Sequence, residues 1–189
     1  NQKSENTIEA TTFSFIKGPP PASAISSELF AAFSSDDLRK THWITAVTNG
    51  IETWRHASKY KALYTTGSST EYSIVFRLSE QYLIRAEARA HQGNLIGAKE
   101  DLNVVRHTAG LTETAALTAV EIINAVLQER RLELFTEFGH RFLDLKRTGM
   151  LDPVLTPIKK GWKSTDKLLP IPESELLLND KLLPQNAGY

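Results

Sequence analysis

Glu129, Glu133 and Glu137 recur every four residues in LQERRLELFTEFGHRFLDLKRTG (127–149), and His140 follows them. On a helix this spacing stacks carboxylates on one face. Glu137-Phe-Gly-His140 has the Glu-x-x-His form of carboxylate-bridged di-metal sites, which use two such elements plus two further carboxylates. The sequence has no second Glu-x-x-His, and Gly139 interrupts the first. A metal-dependent enzyme would use Glu133, Glu137 and His140. The structural reading is an ion-pair network, with Glu137 pairing to Arg141 at i, i+4 and Arg141 to Asp144 at i, i+3.

Other catalytic constellations lack their residues. His42, His56, His91, His107 and His140 form no His-x-x-x-His pair, so zinc hydrolase chemistry has no motif. Ser23, Ser26 and Ser27 stand in a Pro-rich stretch without a Gly-x-Ser-x-Gly elbow, and Gly67-Ser-Ser is not a phosphate loop. The chain has no cysteine, which excludes thiolate ligands and thiol nucleophiles. No cofactor is implied, and the protein is read as non-catalytic. Trp43, Trp54, Tyr60 and Tyr64 crowd into one short region. Flat aromatic faces stack on sugar rings while neighbouring polar groups reach the hydroxyls. The same four side chains could instead fill a junction between lobes.

Lys+Arg and Asp+Glu number 22 each, so the formal net charge is zero. That balance disfavours a nucleic-acid partner, which needs a basic face. Hydrophobic residues make up 41% of the 189, enough for a sizeable core. No apolar run approaches the roughly 18 residues of a membrane span. NQKSENTIEATTFSF has no apolar signal segment.

The elements that would position these residues fall into two textures. Residues 1–77 read as an irregular lobe. Ser26 or Ser27 caps a short helix carrying Leu29, Phe30 and Phe33, and Asn49-Gly50 joins strands near 42–48 and 51–56 in a β-hairpin. YSIVFRL (72–78) reads either as a strand or as an extended entry to a helix. From residue 78 the period becomes helical. Leu78, Tyr82, Leu83, Ala86 and Ala90 form one face, closed by Gly93-Asn94; Leu95, Ala98, Leu102, Val105 and Ala109 form the next, closed by Gly110. Small residues at the crossing make this a tetratricopeptide-like αα-hairpin. A third helix starts at Thr118, with Glu121 completing a capping box. It presents Ile123, Leu127, Leu134 and Phe138. HRFLDLKR and PESELLL predict two shorter helices. The fold class expected is therefore mainly α, a helical-hairpin scaffold with an irregular N-terminal lobe.

Three stretches, in order, resemble the C-terminal half of the SusD/RagB family. The first matches through Arg77, Glu80, Tyr82, Leu83, Ala86, Glu87, Ala88, Gly93, Asn103 and Arg106. The second matches through Glu129, Arg130, Glu133, Phe135, Glu137, Gly139, Arg141, Asp144, Leu145 and Arg147, with Phe138 inserted before Gly139. The third is the ending, LLPIPESELLLNDKLLPQNAGY, in which Asp180 and Ala187 stand where the family has proline and Pro184 is added. The resemblance covers about 77–189, and Glu28, Leu29, Phe33, Asp37 and Arg39 extend it loosely toward the start.

The resemblance implies a surface lipoprotein of the outer membrane, anchored through an acylated N-terminal cysteine. It implies a partner, a SusC-like TonB-dependent transporter, and a ligand, an oligosaccharide or in some members a peptide, that is bound and not cleaved. It also implies that residues 78–189 are the C-terminal helical region of a longer protein. The charges at 129–147 become a structural staple, and Tyr189 an aromatic plug. Family ligand sites vary in position, so no binding residue transfers by motif. The candidates are Trp43, Trp54, Tyr60 and Tyr64. The competing reading is a tetratricopeptide-like interaction scaffold that binds no small ligand.

Overall fold

The computed structural model describes residues 6–20, 23–62 and 69–189. They fall into two compact units, Asn1–Phe138 and Gly139–Tyr189. The first is mainly helical, with one two-stranded antiparallel sheet.

The N-terminal lobe is built from short capped pieces. Helix α1 (Ile8–Phe13) is capped by Thr7 and α2 (Ser27–Ala32) by Ser26, each accepting a backbone N–H. In α3 (Leu38–His42) the Asp37 carboxylate does the same for Arg39. Strands β1 (Ile44–Thr48) and β2 (Thr53–Ala57) pair with Ile44 opposite Ala57 and Thr48 opposite Thr53. The hairpin expected around Asn49-Gly50 is present, but its connection is the four residues 49–52, not a two-residue turn. Asn49 Oδ1 accepts from both Ile51 N and Glu52 N, holding the wider loop, and Gly50 takes φ +93°. Residues 69–77 form no helix and join no sheet, and Arg77 at their end is extended.

The helical part follows the apolar period closely. Helices α4 (Leu78–His91) and α5 (Leu95–Thr108) form the antiparallel hairpin, and α6 (Ala119–Glu133) packs on both. Their shared core is Leu83, Ala86, Ala90, Ala98, Leu102, Val105, Ile122 and Val126. The alanines let the helices approach closely. Asn94 caps α5 through Gly97 N, and the capping box of Thr118 and Glu121 opens α6. At the end of α5, Gly110 has φ +76°, and a Cβ there would meet Leu38 Cγ at 2.8 Å. Glycine lets that turn reverse while Leu38 N bonds Ala109 O, tying α5 to α3.

Two expected faces shift. Leu78 is 71% exposed because it opens α4, ahead of the turn that meets α5. In α6 the inward residues are Ile122 and Val126, one position off the predicted phase, and Phe138 lies outside the helix, 54% exposed. Hydrophobic periodicity misplaced this face because α6 also buries Glu129, Arg130 and Glu133, which an apolar pattern counts as outward.

A second core joins α6 to the lobe: Phe33, Ile44, Ala57, Leu132 and Phe135, flanked by Phe13, Ile25, Leu29, Phe30 and Trp43. Helix α6 thus contributes to both cores.

The second unit carries α7 (His140–Arg147), α8 (Leu151–Leu155) and α9 (Glu173–Leu178), with single 3₁₀ turns at Ser164–Lys167 and Asp180–Leu182. Trp162 anchors within it, its indole N–H donating to Asp152 at 2.8 Å. Asp144 pairs with Arg147 one turn on. Gln185 clasps Ile171 through both its amide groups. Tyr189 is not the expected plug; it is 55% exposed, and its hydroxyl donates to Leu168 O.

Leu102 is fully buried at the meeting of the three helices. Leu102→Ala is expected to cost about 3 kcal/mol of stability, measured by urea unfolding; a loss under about 1 kcal/mol would mean the hairpin core is not close-packed.

Candidate functional site

The charge-dense run at 129–137 is the centre of a buried network in the first unit, and its partners come from four separate segments. Arg39 lies deepest. Its guanidinium makes two bonds to Asp37, at 2.9 and 2.8 Å, one to Glu133 Oε2 at 3.0 Å, and an ion contact with Glu129 Oε1 at 2.7 Å that lacks hydrogen-bond geometry. Arg106 holds the other Glu129 oxygen at 3.2 Å. Arg77 takes Glu133 Oε1 at 2.6 Å and both Glu137 oxygens at 3.0 and 3.1 Å. Lys59 bonds Glu137 Oε1. Four cations thus face four carboxylates: Arg39, Lys59, Arg77 and Arg106 against Asp37, Glu129, Glu133 and Glu137.

Two of these cations also close the helix. Lys59 Nζ and Arg77 Nη2 both donate to the Glu133 carbonyl, at 2.6 and 2.8 Å. The last carbonyls of a helix lack internal partners and carry its negative pole, which suits two cations. Glu137 has partners that the sequence did not suggest. Its carboxylate is held by Lys59 and Arg77, distant in sequence, because α6 ends at Glu133 and the residue no longer follows helical geometry. The glutamates proposed as metal ligands are occupied by cations in this way, and no cluster among the described residues is arranged to hold a metal ion.

Burial and charge compete throughout. Burial works against the Arg39 cation, but the Asp37 hydrogen bonds and the surrounding carboxylates outweigh it and hold its pKa above the usual value. Arg77 behaves alike, with Glu133 and Glu137 prevailing. For Glu133, burial pushes the pKa up, and Arg77 together with Arg39 brings it below the ordinary carboxylate value. Lys59 goes the other way. Burial dominates, Glu137 only partly offsets it, and the pKa falls to about 8.

An aromatic wall covers the lysine. Its Nζ lies 4.2 Å from the Phe135 ring centre and 4.6 Å from that of Trp43, and the two rings stand 6.3 Å apart. Trp43 also lines a cavity of about 300 Å³ together with Tyr82, Leu78, Val104 and Thr108, with Arg39, Arg77 and Glu133 on its polar side. Tyr60 lies elsewhere, on a cavity of about 260 Å³ against α1, and its hydroxyl accepts from Ile74 N. Trp54 lies over Gly18, where an added Cβ would stand only 1.8 Å from the ring. Tyr64 is outside the described residues. Trp43 and Tyr60 thus line different cavities, and Trp54 packs over Gly18. Tyr82 was missed as a cavity residue because its helical period marked it as core, and Lys59 was missed because nothing local separates it from an exposed lysine.

Comparison with known proteins decides the family. A sequence model of the SusD family matches residues 39–189. The chain belongs to the SusD family. It is 34% identical over 128 residues to SusD-like protein P2 of Formosa agariphila, covering 65% of this chain and 21% of that protein. It is 35% identical over 124 residues to the starch-binding protein SusD of Bacteroides thetaiotaomicron, covering 61% of this chain and 21% of SusD. Among solved structures, surface glycan-binding protein A of Bacteroides thetaiotaomicron in complex with laminarihexaose superposes with a TM-score of 0.67 at 27% identity, covering 86% of this chain and 41% of that one. The SusD-family chain described here therefore spans about a fifth of the length of these two curated relatives.

Removing one member of a buried charge network leaves the others uncompensated. Glu133→Gln is expected to destabilise the protein by about 3 kcal/mol, and an unchanged denaturation midpoint would refute the network's role. Lys59 supplies a pH signature. Between its folded pKa of about 8 and its ordinary value of 10.5, the unfolded chain holds the proton that the folded chain has released. Stability from this group therefore rises with pH across that window, by at most about 1.4 kcal/mol per pH unit. The stability of wild type relative to Lys59→Met is expected to increase between pH 7.5 and 9.5 in parallel denaturation curves; a flat difference would refute the shift.

Proposed function

We propose that this SusD-family protein binds a nutrient glycan at the cell surface without cleaving it and passes it to a SusC-like TonB-dependent transporter. The observation that carries this reading is the likeness, across most of the chain, to a surface glycan-binding protein whose solved complex contains laminarihexaose. Location on the outer membrane, with a lipid anchor in a region before these residues, belongs to the same proposal and rests on the family. No helix among the described residues is long and apolar enough to cross a membrane.

The aromatics Trp43, Trp54, Tyr60 and Tyr64 are the proposed ligand contacts. Trp43 shares its cavity with the Tyr82 ring and has guanidinium and carboxylate groups beside it. This pairing of a flat apolar face with fixed polar groups suits a sugar ring. Protein-partner binding has its own support in the exposed side chains of Tyr72, Ile74, Val75 and Phe76 along the 69–77 segment. Large exposed apolar runs mark surfaces that other chains cover.

A glycan and peptide array probed with the full-length protein, beside this chain alone, tests the reading. Binding of the same sugar class by both, reduced at least tenfold by Trp43→Ala in protein that still folds, is the expected result. If neither binds any glycan or peptide, ligand capture is refuted and the transporter-partner role is left.

A further inference from the structure

The turn after α6 is strained in a way the charge network alone does not require. Thr136 has φ +63° and Phe138 φ +40°, both in the left-handed region where β-branched and aromatic residues are costly. Glycine already serves the next position, so the chain could have used it at 138 as well. Instead Phe138 stands there with half its surface in solvent, 54% exposed. Glu137 between the two strained residues is pinned by Lys59 and Arg77, which supplies the force that keeps the turn in this shape.

What the strained turn presents is a wall of a second cavity. Phe138, Thr136 and Glu137 face Ile8 and Glu9 of α1, with Tyr60 alongside, around about 260 Å³. The polar groups are suited to hydroxyls. The Tyr60 oxygen accepts from Ile74 N and keeps its own proton to donate. Glu9 receives Ser73 Oγ on one oxygen, and the other has acceptor capacity left. Glu9, which accepts from the neutral Ser73 hydroxyl, makes the cavity unfavourable to an anion, while Glu137 is already neutralised by Lys59 and Arg77.

We propose that this cavity is a saccharide subsite for an uncharged sugar, with one ring stacked on Phe138 and its hydroxyls hydrogen-bonded to Tyr60 and Glu9. The subsite rests on the glycan-binding reading above but lies apart from the Trp43 cavity. Strain at a position where glycine would relieve it, combined with an exposed aromatic beside unused donors and acceptors, is the pattern of a residue kept for binding at the expense of stability.

The test uses full-length protein on an oligosaccharide array that includes laminarihexaose and, as anionic arms, uronate and sulfated oligosaccharides. Wild type is compared with Phe138→Gly and Phe138→Trp, and each is also melted without ligand. Phe138→Gly is expected to raise Tm by about 3 °C through release of strain and to weaken binding of the neutral sugar at least tenfold. Phe138→Trp is expected to retain binding. Neutral-sugar binding that is unchanged in Phe138→Gly overturns the subsite and leaves the glycan-binding reading standing, as does wild-type binding confined to anionic sugars. Silence of wild type on every glycan overturns both.

Discussion

The contact on which the rest of this protein depends is the grip of α6 on cations from four other segments. Glu129 and Glu133 lie buried on the helix, and Glu137 follows just past its end. Arg39 comes from α3, Lys59 from just after β2, Arg77 from the entry to α4 and Arg106 from α5. Isolated buried ions are too costly to leave water alone, so the fold must bring all of these segments to one place before any one pair is favourable. The network fixes short α3 through Asp37 and Arg39, while α1 and α2, too small to persist alone, are held by packing of Phe13, Leu29 and Phe30 on the second core.

The network also sits between the two apolar cores. Ile122 and Val126 fill the hairpin core, Leu132 fills the aromatic one, and the carboxylates lie along the same helix. Trp43 and Phe135 shield Lys59 from solvent, which is why its charge is disfavoured while the better-partnered Arg39 and Arg77 keep theirs. Polar and apolar parts are therefore one construction: the aromatic wall lowers the local dielectric, and the lower dielectric strengthens the ion pairs.

Function in this family member is read on top of that frame. Both cavities border the network, one through Arg39, Arg77 and Glu133, the other through Glu137. A rigid charged floor under aromatic side chains would preorganise these cavities for the proposed sugar, whose hydroxyls need fixed partners. The same ion pairs that organise the lobe hold the strained turn at Thr136 and Phe138 in place, so local strain and long-range order are coupled through Glu137.

By itself, the sequence determined the helical hairpin, the third helix with its capping box, and the family. Ala86, Ala90, Ala98 and Leu102 recur at helical spacing, Thr118 and Glu121 spell out a capping box, and three motifs stand in family order. These signals are local, since caps, turns and apolar periods act over a few residues, and a single chain displays them without its fold. Tertiary structure alone decided what the charges do and where the aromatics go. Glu137 finds Lys59 and Arg77, 78 and 60 residues away. Trp43, Trp54 and Tyr60, close in sequence, part into three surroundings because they stand on different segments: Trp43 ends α3, Trp54 lies on β2 and Tyr60 follows that strand. The phase of α6 was hidden for the same reason. A buried carboxylate looks like a surface residue until the cation that neutralises it, encoded far along the chain, is folded against it.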